Sequence, residues 1–181
     1  MNEQDQLVKS YYSFMFTRHP LDRLFATYRN KFVKPFNDTY YKDEYSPLIL
    51  KAFRPSLPRS EYKKTTVTFL EFIKHVLTES GYRDQHWAPM HQVCHLCRYQ
   101  FNYLGKHETL SEDAEIILKE LNLSHKFKFP QVKYDYKRKT TNLLKKYYQQ
   151  IPEYIMKDLY KYYQIDLEVF GYEFDIYLMT M

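Results

Sequence analysis

The sequence predicts a helix-rich α/β protein with few strands, and three observations lead to this class. Two short apolar and aromatic runs, residues 13–17 and 99–104, are typical of buried strands. Five other segments repeat apolar residues at helical spacing. The chain of 181 residues, with 44% apolar and 27% charged residues, has a globular composition and is long enough for one domain with a core.

The stretch of residues 12–32 carries the first strand and the first helix. After the strand comes Arg18-His19-Pro20, and Pro20 suits the first position of a helix. The helix is predicted from its apolar positions, Leu21, Leu24, Phe25, Tyr28 and Phe32. A helix N-terminus favours a phosphate, to which Arg18 and Arg23 would add charged, forked donors. The alternative is a plain strand-to-helix connection with solvated arginines.

The remaining helices are predicted from caps and periodicity. Thr68 and Glu71 form a capping box ahead of one helix, which Gly81 would end. Thr109 and Glu112 suggest a second capping box. Two short helices are predicted, one over 48–53 and one from the apolar positions at 143–148. A last helix would start at Pro152 and end at Gly171.

His86 is the candidate base of the sequence. An imidazole takes up a proton near neutral pH, and Asp84, two residues away, would orient the ring. The alternative is a structural histidine beside a buried Trp87. Glu108 is a second base candidate, whose alternative role is packing and capping ahead of the following helix.

Cys94 and Cys97 form a C-x-x-C motif flanked by His91 and His95. A structural zinc site needs four ligands in tetrahedral geometry, and a second, distant pair is absent from the sequence. We therefore predict no metal. A thioredoxin-like role needs a strand before and a helix after the motif, and that context is missing.

The net charge of +5 favours a polyanionic partner, with nucleic acid, an anionic glycan, a nucleotide and an anionic membrane all satisfying its sign. Basic residues Lys137, Arg138 and Lys139 add to this. One function class is therefore a non-enzymatic basic and aromatic module that binds nucleic acid or sulfated glycan. Only three glycines are present, so no glycine-rich phosphate loop exists in this chain.

Three ordered motifs resemble the Golgi carbohydrate sulfotransferases of the chondroitin and dermatan 4-O-sulfotransferase group. The first is R-x-P-x-x-R-L-x-x-x-Y-R-x-K-F, from Arg18 to Phe32, which resembles the family's 3′-phosphate-binding segment. The second is D-x-H-W-x-P from Asp84, followed by C-x-x-C and G-K-x-E-T-L-x-E-D-A. The third runs from Leu159 to Tyr172, so the resemblance covers residues 12–172.

The resemblance implies a P-loop-like α/β sulfotransferase domain. It would transfer a sulfuryl group from 3′-phosphoadenosine 5′-phosphosulfate (PAPS) to a hydroxyl of a glycosaminoglycan or N-glycan, without metal or nucleic acid. Arg18 would hold the 3′-phosphate with support from Arg23, and His86 would be the base. The family places a serine where this chain has Ala26. Thr27 is its neighbour and a further candidate phosphate ligand.

The resemblance also implies a Golgi lumen or membrane location and a Cys94–Cys97 disulfide, with two thiols as the alternative. From the resemblance we expect the family's upstream strand, phosphosulfate-binding loop and membrane anchor to have no counterpart among these 181 residues. We therefore expect a loose polar segment over 1–10, an N-terminally incomplete domain over 11–173 and a tail over 174–181. The chain as given is expected to bind nucleotide weakly and not to catalyse transfer.

Overall fold

The computed structural model describes residues 6, 9–33, 39–78, 84–130 and 142–174. They form two compact units. The strand unit contains the described residues up to His19 and residues 90–130; the helical unit contains the other described residues from Pro20 onward. The predicted single domain over 11–173 stays a prediction. Among the described residues, no helix has the length and apolarity needed to cross a membrane.

The main elements of the described residues are two strands and seven α-helices, and the predicted helix-rich α/β class is confirmed. In chain order they are β1 Phe14–Thr17, α1 Pro20–Tyr28, α2 Ser46–Phe53, α3 Phe69–Val76, α4 Met90–Val93, β2 Tyr103–Lys106, α5 Leu110–Glu120, α6 over 142–148, and α7 Glu153–Phe170. Helical turns of other types also occur: Arg29–Val33 and Tyr41–Tyr45 are π-helical, and Arg59–Lys64 and His107–Thr109 are 3₁₀.

In the strand unit, β1 and β2 pair in parallel, with Phe14 opposite Tyr103 and Thr17 opposite Lys106. The predicted bounds of the second strand, 99–104, are wrong. Pairing begins only at Asn102 and Tyr103, whose backbone N–H groups both donate to the Ser13 carbonyl. The strand continues through Gly105, where a Cβ would lie 2.5 Å from the Phe16 ring.

The helical unit has an aromatic core. Phe25, Phe72, Trp87 and Tyr163 are almost completely buried together with the apolar faces of α1, α2, α3 and α7. The Trp87 ring lies 5.4 Å from Phe72 in edge-to-face geometry, which adds to the stabilisation from its buried area. Burial of Trp87 thus anchors the segment that carries His86 to the core.

The capping box of α3 is confirmed, since the Thr68 side chain and the Glu71 backbone and side chain cap each other. Glu71 also binds the Arg54 guanidinium through both carboxylate oxygens, at 2.5 and 2.8 Å. The box predicted at Thr109 is wrong. Its hydroxyl donates to Asp113 Oδ2 at 2.7 Å, and no side chain caps that helix start.

The last helix follows the prediction closely. Pro152 precedes α7, and Gly171 ends it in the left-handed conformation with φ of 61°. The helix at 48–53 begins two residues earlier than predicted, at Ser46. Gly81 and Lys137–Lys139, which carried a predicted helix stop and the nucleic-acid alternative, lie outside the described residues.

Buried His75 makes the stability of the helical unit depend on pH. Its side chain packs beside Tyr45 and Trp87, and its Nε2 has no hydrogen-bond partner among the described residues. Burial lowers the pKa of His75 below its ordinary value of 6.5, although the Asp84 charge partly opposes this. The unfolded chain therefore binds a proton more readily than the folded one.

We expect the free energy of unfolding to fall as the pH is lowered from 7 through 6.5, because protons bind the unfolded state preferentially. His75→Gln should flatten this part of the profile, and the exposed His125→Gln should not. Urea denaturation at half-unit pH steps measures it. Identical slopes for His75→Gln and the parent would contradict the assignment.

Candidate functional site

The segment Asp84–Pro89 is held in place through its own backbone. The Trp87 and Ala88 N–H groups donate to the Asp84 carbonyl at 3.1 and 2.8 Å, forming a turn. The Trp87 carbonyl accepts from the buried Tyr163 hydroxyl of α7. Burial raises the pKa of Tyr163, so this hydroxyl stays protonated and remains a donor.

Helix α1, which precedes this segment in the sequence, also binds it. Arg23 Nη2 donates to the Ala88 carbonyl, and the Thr27 hydroxyl donates to the His86 carbonyl at 3.3 Å. Thr27 is buried, while Arg23 Nε has no hydrogen-bond partner within the described residues. Arg23 and Thr27 therefore position the segment; their predicted contacts to a nucleotide stay predictions.

The Asp84 carboxylate accepts hydrogen bonds on both of its oxygens. Its Oδ1 accepts from the His86 backbone N–H at 2.8 Å and lies 2.8 Å from His86 Nδ1. Its Oδ2 accepts from the Tyr41 hydroxyl at 2.7 Å. The Tyr41 hydroxyl oxygen also lies 2.8 Å from His86 Nδ1. Asp84, His86 and Tyr41 thus form one polar cluster.

The protonation of this cluster follows from its contacts. Burial alone would raise the pKa of Asp84, but hydrogen bonds from the His86 N–H, the Tyr41 hydroxyl and the His86 ring lower it below its ordinary value. The carboxylate is therefore ionised at neutral pH and accepts every bond. Because the Tyr41 hydrogen points to Asp84, its oxygen also accepts, which assigns a proton to His86 Nδ1.

This assignment leaves the lone pair of the neutral imidazole on Nε2. The His86 side chain is 38% exposed, whereas the Asp84 side chain is only 7% exposed. The arrangement, a half-exposed imidazole whose other nitrogen donates to a carboxylate, suits a general base. The structural alternative describes the observed contacts, since the side chain is hydrogen-bonded beside a buried tryptophan; the predicted role of His86 as a base stays a prediction.

Arg18 lies in the strand unit, directly after β1. It is half-buried, and its Nε has no hydrogen-bond partner in the part of the chain that the structure describes. The next residue, His19, donates its backbone N–H to Glu108 Oε1 at 3.0 Å. Glu108 thus fixes the backbone beside Arg18, and its predicted role as a base stays a prediction.

Cys94 is half-buried and Cys97 is exposed, and the structure contains no disulfide between them. The disulfide implied for an oxidising lumen stays a prediction. Among the described residues, no group of three or more His, Cys, Asp or Glu side chains is arranged to hold a metal ion. The motif of His91, Cys94, His95 and Cys97 therefore has no metal-binding geometry in this structure.

Tyr41 is the site residue that sequence reasoning missed. It lies 43 residues before Asp84, in a proline-punctuated stretch with several other aromatic residues. No local spacing distinguishes it from exposed Tyr40, and its burial in the structure is what marks it.

A comparison with protein-family models identifies the class of protein. A model described as the Sulfotransferase family matches residues 1–173, and the chain belongs to this family. The resemblance predicted from the three motifs is confirmed.

Two curated relatives illustrate the match, and both are named as carbohydrate sulfotransferases. Carbohydrate sulfotransferase 11 of Rattus norvegicus is 30% identical, over 97% of this chain and 51% of that protein. Carbohydrate sulfotransferase 14 of Danio rerio is 30% identical, over 91% of this chain and 45% of that protein. The chain spans about half the length of these curated relatives. No solved structure gives a significant match.

Removing the Tyr41 hydroxyl should destabilise the polar cluster. We expect Tyr41→Phe to lower the free energy of unfolding by about 1.5–3 kcal/mol at pH 7, the range for a hydrogen bond to a charged group. Tyr40→Phe, at a 58% exposed neighbour, is the matched control and should change little.

The loss should also depend on pH. Because hydrogen bonding lowers the folded pKa of Asp84, this stabilisation is present above its ordinary value of 3.8 and disappears as the acid is protonated at lower pH. Denaturant titrations at pH 7 and in the acid range test this. Equal losses for Tyr41→Phe and Tyr40→Phe would remove Tyr41 from the cluster.

Proposed function

We propose that this chain carries the sulfuryl-acceptor base and a 3′-phosphate contact of a carbohydrate sulfotransferase. The observation that carries the proposal is the Asp84–His86–Tyr41 cluster, which leaves His86 Nε2 as an available base. Family membership supplies the reaction class. The donor is PAPS and the acceptor is a hydroxyl of a glycosaminoglycan or N-glycan.

His86 would take the proton of the acceptor hydroxyl on Nε2. The Nδ1–H group donates to the Asp84 carboxylate, so the positive charge that develops on the ring is stabilised. PAPS, when bound, supplies the sulfuryl group: the acceptor oxygen–sulfur bond forms, the bond from sulfur to the 5′-phosphate oxygen breaks, and adenosine 3′,5′-bisphosphate leaves.

Arg18 is proposed to hold the 3′-phosphate of the donor. A half-buried guanidinium whose Nε lacks a hydrogen-bond partner among the described residues fits an anion that would accept from it. Arg23, whose Nε is also without a partner there, supports the segment of His86 through Ala88. Thr27 is proposed to act through that same segment, because its hydroxyl donates to the backbone carbonyl of His86.

The remaining assignments come with the family. We propose a Golgi lumenal location, transfer without a metal, and a Cys94–Cys97 disulfide in that oxidising compartment. The matched relatives from which these assignments follow are about twice as long as this chain.

The nucleotide contact is tested with adenosine 3′,5′-bisphosphate. We expect Arg18→Ala to weaken its binding by about 1.5–3 kcal/mol, which is roughly a 10-fold to 150-fold rise in Kd, because a charge-assisted hydrogen bond is lost. Exposed Arg59→Ala, which removes the same charge from another part of the chain, should bind like the parent.

Isothermal titration calorimetry on the 181-residue chain measures both affinities. Equal affinity for Arg18→Ala and Arg59→Ala would exclude Arg18 from the nucleotide site. A parent chain that does not bind adenosine 3′,5′-bisphosphate would contradict the proposed function itself.

A further inference from the structure

The strand unit has a groove that none of the predicted site residues except Cys97 lines. Two segments form it, residues 9–12 before β1 and residues 96–102 before β2. Its volume is about 970 Å³, at the upper end of the range for small-molecule ligand sites. It is large enough for several sugar rings.

The charged side chains among the described residues that line the groove are cationic. Lys9 and Arg98 line it, and among the described residues that line it there is no aspartate or glutamate. The Arg98 guanidinium lies 5.3 Å from the centre of the Tyr99 ring, a cation–π contact that limits its mobility. The groove therefore favours a ligand that carries negative charge.

The groove is also aromatic. Tyr11, Tyr12, Tyr99 and Phe101 all line it, and the Tyr11 side chain is 69% exposed. Aromatic faces pack against the apolar faces of sugar rings, while neighbouring hydroxyl and amide groups such as those of Gln100 can hydrogen-bond to sugar hydroxyls. This combination of aromatic, polar and cationic side chains matches an acidic carbohydrate.

The two segments are tied together, so the groove is preformed. Asn102 Oδ1 accepts from the Ser13 backbone N–H at 2.8 Å and from the Ser13 hydroxyl at 3.1 Å. The Asn102 N–H donates back to the Ser13 carbonyl at 2.8 Å. The Tyr12 hydroxyl donates to Glu120 of α5. A ligand would therefore bind without first ordering these residues.

We propose that this groove binds an oligosaccharide that carries carboxylate or sulfate groups. That this glycan is the acceptor of the sulfuryl group rests on the proposed function. Protein sites for single-stranded nucleic acid also combine aromatic stacking with positive charge. Such sites follow a backbone that carries a phosphate at every nucleotide. The described residues that line this groove include two cations, Lys9 and Arg98, which fits the sparser charge of an acidic glycan.

Exposed Cys97 lines the groove and serves as a reporter in the reduced protein. The probes are hexasaccharides of desulfated chondroitin, of sulfated chondroitin and of carboxyl-reduced desulfated chondroitin, with an RNA hexamer of mixed sequence. We expect the acidic hexasaccharides to slow Cys97 alkylation by iodoacetamide at least about fivefold at saturation. The neutral hexasaccharide should not. Protection by both acidic probes assigns carboxylate recognition, and protection by the sulfated one alone assigns sulfate recognition.

Matched variants locate the binding. We expect Arg98→Gln to weaken binding of the acidic hexasaccharide about 10-fold, and the charge-matched Lys126→Gln, outside the groove, to leave it unchanged. Tyr11→Ser should weaken it as well, whereas Tyr154→Ser, at another exposed tyrosine, should not. Calorimetry gives the affinities, and the folded state of each variant is checked by its denaturation midpoint.

Three results would overturn the groove assignment: no Cys97 protection by either acidic hexasaccharide, equal weakening by Arg98→Gln and Lys126→Gln, or equal or better protection by the RNA hexamer. The proposed function is judged separately, since binding of adenosine 3′,5′-bisphosphate is measured on the same proteins. Arg98→Gln should leave that affinity unchanged. A chain that binds nucleotide but no glycan contradicts the groove alone, and one that binds glycan but no nucleotide contradicts the proposed function alone.

Discussion

The Asp84 carboxylate is the acceptor on which the arrangement of the candidate site depends. It joins the π-helical turn at Tyr41 to the segment Asp84–Pro89, whose Trp87 is buried in the aromatic core. A largely buried carboxylate is costly unless its oxygens are hydrogen-bonded, and here the side chain receives bonds on both oxygens. The same contacts that offset the cost of burial also orient the imidazole. Stability and the proposed chemistry therefore share one set of hydrogen bonds.

Features with local causes could be predicted from the sequence. The box of Thr68 and Glu71 and the left-handed stop at Gly171 each depend on residues within one helical turn, and both are observed. The register of β2 could not be predicted in the same way, because it depends on Ser13, nearly ninety residues earlier. The Thr109 box failed because Asp113 accepts from the Thr109 hydroxyl.

The candidate site shows the same division between local and distant causes. His86 and Asp84 were identified from their spacing of two residues, and the structure brings them together. Tyr41 could not be identified, since only the fold brings it to Asp84. Motif matching also made Thr27 a candidate phosphate ligand by its position alone. In the structure its hydroxyl donates to the backbone carbonyl of His86. Adjacency in a motif thus identifies which residues belong to a site more readily than what each one does.

The side-chain tautomer of His86 tests the central claim most directly, because the base role requires a lone pair on Nε2. Long-range ¹H–¹⁵N correlation spectra of the ¹⁵N-labelled chain at pH 8 distinguish the two neutral forms, with His86→Gln to assign the signal. We predict a proton on Nδ1 and an unprotonated Nε2, as the bonds to Asp84 and Tyr41 require. A neutral ring with its proton on Nε2 would contradict the account, since Nδ1 would then have no proton to donate to Asp84.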